Sequence, residues 1–127
     1  IKNLWGDMPD LTSIRTPHEI LMEQGRYLEE VTEGALKCKI ERHQKNTLFS
    51  FEFLILVPSL NYQYSLLRVT HDIKLFPAVL SSEQNGEEFT ANTQEEFEED
   101  LGTILSSEET RVLVRSLVAQ SRMEQET

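Results

Sequence analysis

Two kinds of hydrophobic spacing divide this chain. Between residues 17 and 34, apolar residues return every three or four positions, which is typical of an amphipathic helix. From residue 36 to residue 80, apolar and polar residues mostly alternate, which is typical of half-buried strands. Helical spacing returns after residue 93. We therefore predict an α+β fold with an N-terminal helix, a four-stranded, mostly antiparallel meander sheet, and two C-terminal helices packed on that sheet.

The first helix has a recognisable start and end. Thr16 is suited to cap it, Pro17 to occupy its first position, and Glu19 to complete a capping box. Gly34 is suited to end it, so we predict a helix over residues 17–34. The stripe that we expect to face the core consists of Ile20, Gln24, Tyr27, Leu28, Val31 and Ala35.

Four segments have the composition of strands. We predict them at residues 36–43, 47–57, 62–71 and 73–80. The second is expected to be central, because one of its faces is apolar throughout and the other becomes apolar at its end. The last should be an edge or interrupted strand, since it contains Pro77. Short turns between the segments favour antiparallel pairing.

The remaining segments complete a single predicted domain over residues 1–127. Residues 1–15 contain irregularly spaced apolar residues, and we expect this segment to form an extended arm that packs across the domain or against a second chain. Residues 81–92 are predicted to be a polar loop. Thr93 begins a second capping box. A third helix is expected to follow a cap at Ser106 or Ser107, with a frayed tail at 122–127.

Negative charge is concentrated in the C-terminal third of the chain. Residues 1–82 contain nine basic and ten acidic side chains, a net charge of −1, whereas residues 83–127 contain three and 12, a net charge of −9. Such a surface disfavours binding to nucleic acid or to an anionic membrane. It is compatible with a basic protein partner, and equally with an acidic surface that only keeps the protein soluble.

The cysteine content and hydropathy indicate the environment of the chain. Cys38 is the only cysteine, so it cannot form an internal disulfide, and we expect it to be a small apolar strand residue in a cytoplasmic protein. The apolar run at residues 54–57 is far too short to span a bilayer. The three histidines have no metal-binding spacing and are expected to be exposed, so we predict no metal and no cofactor.

Two groups of residues are candidates for binding. The first is an acidic cluster at the start of the second helix, for which we expect either a solvated helix start or a surface that binds a protein partner together with Trp5. Its members are Glu95, Glu96, Glu99 and Asp100. The second centres on Arg68, which we expect to share a strand face with Tyr62 and Tyr64 and to pair with Glu52 across strands, or else to anchor a ligand.

No catalytic or phosphate-binding motif is present. The chain lacks GxSxG, GxGxxG and GxxxxGK[ST], which leaves nucleophile-elbow, dinucleotide and phosphate-loop chemistry unsupported. Our first hypothesis is a non-enzymatic protein-interaction module that can form a homo-oligomer. In size, acidity and element order it resembles secretion chaperones and toxin-immunity proteins, without a shared motif. The alternatives are a small-ligand-binding domain or small enzyme, with a site between helix 1 and the sheet near Arg68, and a mimic of nucleic-acid charge.

Overall fold

A computed structural model describes the backbone of residues 2–126 and the side chains of residues 2–123. It contains three helices and one sheet, in the α+β order predicted from the sequence. The elements are α1 Pro17–Val31, β1 Lys37–Lys45, β2 Leu48–Val57, a 3-10 turn Pro58–Leu60, β3 Tyr62–His71, β4 Ala78–Ser82, β5 Glu88–Ala91, α2 Gln94–Leu105 and α3 Glu108–Glu126. Within the described residues, none of the helices combines the length and the hydropathy that a membrane-spanning segment requires.

The sheet is an antiparallel meander of five strands in the order β1-β2-β3-β4-β5. The sequence predicted four, because β5 is only four residues long and lies within the predicted polar loop. β4 also begins later than predicted, because residues 72–77 form turns before it. Two apolar residues define β5: Ala91 is buried opposite Ala78, and Phe89 is half-buried opposite Leu80.

The helix starts follow the capping residues. The hydroxyl of Thr16 accepts from the Glu19 N–H at 3.1 Å, and that of Thr93 accepts from the Glu96 N–H at 3.1 Å. The helix ends differ from prediction. α1 stops at Val31, three residues early, and α3 continues to Glu126, where a frayed tail was expected. Thr127 lies outside the described residues.

All three helices lie on the same face of the sheet. α1 packs over β1, α2 packs over β4 and β5, and α3 contacts the turn at residues 58–60, where the hydroxyls of Ser59 and Ser121 are 2.8 Å apart. The core lies between these layers. Its largest fully buried side chains are Phe53, Phe97, Leu21, Leu36, Ile55, Leu66, Leu67 and Leu80.

A bulge in β3 changes which side chains share a face. Phe53 of β2 pairs with Leu67, but the next residue, Leu54, pairs with Ser65, so Leu66 is an extra residue. Tyr62 and Tyr64 therefore lie on the helix-covered face with their partners Val57 and Ile55. Arg68, beyond the bulge, lies on the opposite face. The prediction that Arg68 shares a face with the two tyrosines is wrong, because one inserted residue reverses the alternation of a strand.

Candidate functional site

Residues 2–15 form an apolar arm that is exposed to solvent. No helix or strand occurs within it, and before Arg15 its side chains hydrogen-bond locally: Asp10 Oδ1 accepts from the Thr12 N–H at 2.9 Å, and Asn3 Oδ1 from the Trp5 N–H at 3.0 Å. Its apolar side chains are Leu4, Trp5, Met8, Leu11 and Ile14, which are 88%, 82%, 56%, 62% and 52% exposed. The arm does not pack across the domain as one alternative predicted, and its packing against a second chain stays a prediction.

Two of the six residues in the predicted apolar stripe of the first helix are left exposed. Ile20 and Leu21 are buried, whereas Tyr27 is 61% and Val31 is 75% exposed. A cavity of about 220 Å³ lies beside these two exposed residues. Its lining comes from α1, α2 and α3 and from the central strands β2 and β3. We call it the interhelix groove; its lining is Gln24, Tyr27, Leu28, Val31, Phe53, Ile55, Leu66, Leu105, Thr110 and Val114.

The α3 side of the interhelix groove continues into a second cavity of about 460 Å³. Four lining residues are common to both cavities, namely Leu28, Leu105, Thr110 and Val114. The second cavity adds Arg111 and Arg115, together with Glu108. Neither guanidinium lies within 4.0 Å of a carboxylate among the described side chains. The groove is therefore apolar at its base and mainly basic along its α3 rim.

The predicted acidic cluster occupies the first two turns of α2. Glu95 and Glu99 are exposed, while Glu96 and Asp100 are half-buried. Glu96 forms a hydrogen bond within the chain, in which its Oε1 accepts from the Asn92 N–H at 3.3 Å. The neighbouring Glu98 lies 3.6 Å from Arg15, at the base of the apolar arm. Trp5 remains exposed in the arm, so the structure does not bring it into one buried site with these carboxylates.

The predicted Arg68 site lies on the face of the sheet opposite the helices. Glu52 and Arg68 are direct cross-strand partners with Oε2 and Nη2 3.2 Å apart, and Ser65 donates to the same Oε2 at 2.7 Å. The Ser65 hydroxyl, followed by Arg68, holds the pKa of Glu52 below its ordinary 4.5. Since α1 covers the other face, Arg68 cannot line a site between helix 1 and the sheet. The two residues form a surface ion pair.

A cluster that the sequence did not predict lies at the N-terminal end of α1. His18 stacks on Phe51 with ring centres 5.0 Å apart, and His71 stacks on Phe51 at 5.6 Å and on Phe49 at 5.5 Å. The guanidinium of Arg42 lies 5.5 Å from the Phe49 ring centre. These residues line a cavity of about 180 Å³, the histidine pocket, whose other lining residues are Thr16, Ile73 and Leu75.

The prediction of three exposed histidines is wrong for the two that line the histidine pocket. His43 is exposed, but His18 is half-buried and His71 is only 5% exposed. The Nδ1 of His71 lies 2.6 Å from the Asp72 carbonyl oxygen, so it carries the proton and Nε2 holds the lone pair in the neutral ring. Alternation in β3 places His71 on the same face as Val69, a signal that could have indicated its burial.

Cys38 lies beneath α1 as a partly buried strand residue. Its backbone N–H donates to Glu29 Oε1 at 3.1 Å. Burial, followed by the charge of Glu29, raises the pKa of the thiol to about 12. The thiol is therefore protonated at neutral pH and is a poor nucleophile. Within the described part of the chain, no group of three or more His, Cys, Asp or Glu residues could hold a metal ion.

The comparisons with known proteins identify no relative of this chain. No protein-family model, no curated protein and no solved structure matches this chain.

Proposed function

We propose that this protein is a non-enzymatic protein-interaction module that binds through its apolar arm. The observation that carries this proposal is the exposure of all five apolar arm side chains, each of them more than half accessible. Scattered single apolar residues are normal on a protein surface, but a contiguous apolar segment is typical of an interaction site. Tryptophan is also among the residues that contribute most to binding at protein interfaces.

Two further features support the proposal. The interhelix groove leaves Tyr27 and Val31 exposed beside a base of apolar core residues, which provides a second surface of the same chemistry. The acidic start of α2, with Glu95 and Glu99 exposed, offers complementarity to a basic partner. The partners that we propose are a second copy of this chain or a protein with a basic surface. The lone thiol supports a reducing compartment, such as the cytoplasm.

Site-specific photo-crosslinking tests this function directly. A photoreactive phenylalanine analogue replaces Trp5 in one variant and Met123 in a control, because Met123 is a comparably exposed apolar residue of α3 at 68%. We expect irradiation in the cell of origin to yield a discrete protein adduct from position 5 and none from position 123. Equal adduct formation at both positions, or none at position 5, would overturn the proposal.

The histidine pocket favours a second candidate function, the binding of a small planar anion. Arg42, His18 and His71 line this cavity, and none of its lining residues is acidic. In a protein of net charge −10, a cavity lined by an arginine and two histidines without an acidic residue is unusual. Phe49 and Phe51 would contact the planar part of a ligand, and Arg42 would pair with its charge.

Titration with benzoate tests the second candidate. We expect the ring-proton resonances of His18 and His71 to shift with saturation, and Arg42→Gln to weaken binding at least threefold, whereas Arg26→Gln, on α1, leaves it unchanged. Benzyl alcohol is the uncharged control probe. Identical shifts with benzyl alcohol would show that no anion site exists.

A further inference from the structure

We infer that the interhelix groove of one copy receives the apolar arm of a second copy, so that two copies exchange arms reciprocally. This inference rests on the proposed function and names the partner for it. Each chain supplies both halves of the interface: the arm and the groove. Such an arrangement closes on itself as a twofold dimer, because every arm and every groove is then occupied.

The apolar surfaces of the arm and the groove match in chemistry. The arm presents Leu4 and Trp5 before Asp7, and Leu11 and Ile14 after Asp10, all exposed. The interhelix groove presents Tyr27 and Val31 on its α1 side and Val114 on its α3 side, above a base of buried core residues. Tyr27 and Val31 of the groove, like the apolar side chains of the arm, are more than half exposed within their own chain.

The charges of the arm and of the groove rim are complementary. Asp7 and Asp10 lie in the middle of the arm, between its two apolar pairs. Arg111 and Arg115 lie one turn apart on α3 at the rim of the groove, and neither has a carboxylate within 4.0 Å among the described side chains. The one acidic lining residue, Glu108, precedes this pair by a turn. Acidic arm residues therefore meet basic rim residues.

The length of the arm allows exchange between chains. Fully extended, residues 2–15 span at most about 45 Å, which is roughly twice the length of α1. The arm could thus also reach the groove of its own chain, yet in the single chain it leaves that groove open and stays in solvent. Arg15, held by Glu23 and Glu98, fixes the base of the arm beside α1 and α2. We therefore assign the groove to the arm of the second copy.

A charge-swap experiment on the full chain tests the exchange. One variant carries Asp7→Arg and Asp10→Arg in the arm, and the other carries Arg111→Glu and Arg115→Glu on the rim. Light scattering after size exclusion measures their mass. We expect wild type to form a dimer of two 14.7 kDa chains, and each variant alone to dissociate at least tenfold more readily. An equimolar mixture should recover the dimer, because both arm–groove contacts are then complementary again.

Substitutions of exposed apolar residues in the groove test the exchange independently. Tyr27→Glu with Val31→Glu should weaken the dimer at least tenfold, and circular dichroism should show an intact fold, since both side chains are exposed. Val112→Glu is the control, because Val112 is 44% exposed on α3 and lines neither cavity of the groove. If Val112→Glu weakens the dimer equally, the groove is not the docking surface.

The other outcomes separate this inference from the proposed function. Wild type that stays monomeric at every concentration, or a mixture that fails to recover the dimer, overturns arm exchange. A monomer that still gives an adduct from position 5 with a different protein leaves the proposed function standing. A dimer that persists in all these variants, without an adduct from position 5, overturns both.

Discussion

The Arg68 guanidinium and the Glu52 carboxylate face each other across β2 and β3, 3.2 Å apart on the face of the sheet that carries no helix. Glu52 is the more buried partner, since its side chain is 20% exposed and that of Arg68 is 51% exposed. The Ser65 hydroxyl shares the same carboxylate oxygen, at 2.7 Å. The pair is thus part of a small network of polar contacts on the surface of the sheet.

Glu52→Gln should destabilise the fold in a pH-dependent way. Because hydrogen bonds from Ser65 and Arg68 lower the pKa of Glu52 below 4.5, the ionised form stabilises the folded state above the unfolded pKa. That contribution is lost as pH falls through the lower folded-state pKa. We expect urea unfolding to show a loss of about 1 kcal/mol at pH 7 that shrinks below pH ~4. A loss that is constant from pH 7 to pH ~3 would contradict this account.

Alanine substitution at two helical glycines should change the free energy of unfolding in opposite directions. A Cβ on Gly25 of α1 would lie 3.0 Å from the Cys38 Cβ, so the packing of α1 against β1 would have to loosen. A Cβ on Gly102 of α2 would meet nothing within 4 Å. We expect Gly102→Ala to raise the free energy of unfolding by about 0.5–1 kcal/mol through helix propensity. Gly25→Ala should lower it by about 1 kcal/mol. Thermal denaturation of both variants in parallel measures these changes. Stabilisation by Gly25→Ala would show that α1 lies farther from β1 than the structure places it.

The N-cap of α2 should contribute measurably to stability. Thr93 accepts from the Glu96 N–H, so Thr93→Ala leaves that donor without its partner, and we expect a loss of about 1 kcal/mol in urea unfolding. Thr103→Ala is the matched control, since Thr103 is exposed inside the same helix and alanine has the higher helix propensity. Equal losses in the two variants would show that the capping hydrogen bond is not the cause.

The thiol of Cys38 should resist alkylation in the folded protein. A rise of its pKa from 9.0 to about 12 lowers its thiolate fraction at pH 8 by roughly two to three orders of magnitude. Iodoacetamide should therefore react far more slowly with the native protein than with the urea-unfolded protein. Mass spectrometry of timed samples measures both rates, and comparable rates would indicate that Cys38 is open to solvent.

Local signals predicted most of the fold. Thr16 and Thr93 marked helix starts because a capping hydrogen bond depends only on residues three positions apart. The alternation in residues 62–71 gave the bounds of β3 correctly. β5 was missed because a four-residue edge strand contains too few positions to show a period.

The relationships that depend on tertiary contact could not be predicted. The bulge at Leu66 moves Arg68 to the face opposite Tyr64, and no local residue signals that inserted position. The histidine pocket brings together His18 and His71, which lie on different elements more than 50 residues apart. Tyr27 and Val31 are exposed although they belong to the apolar stripe, because helical spacing does not specify which part of the stripe the other elements cover.

Fluorescence of Trp5 tests the central claim of arm-mediated association most directly, because it is the only tryptophan in the chain and lies within the arm. The emission spectrum and the mass in solution are measured on the same samples from about 1 to about 500 µM. We predict emission typical of an exposed indole at the lowest concentration, and a shift to shorter wavelength in step with the increase in mass. An increase in mass with unchanged Trp5 emission would contradict the account, because the protein would then associate while its arm stayed in water.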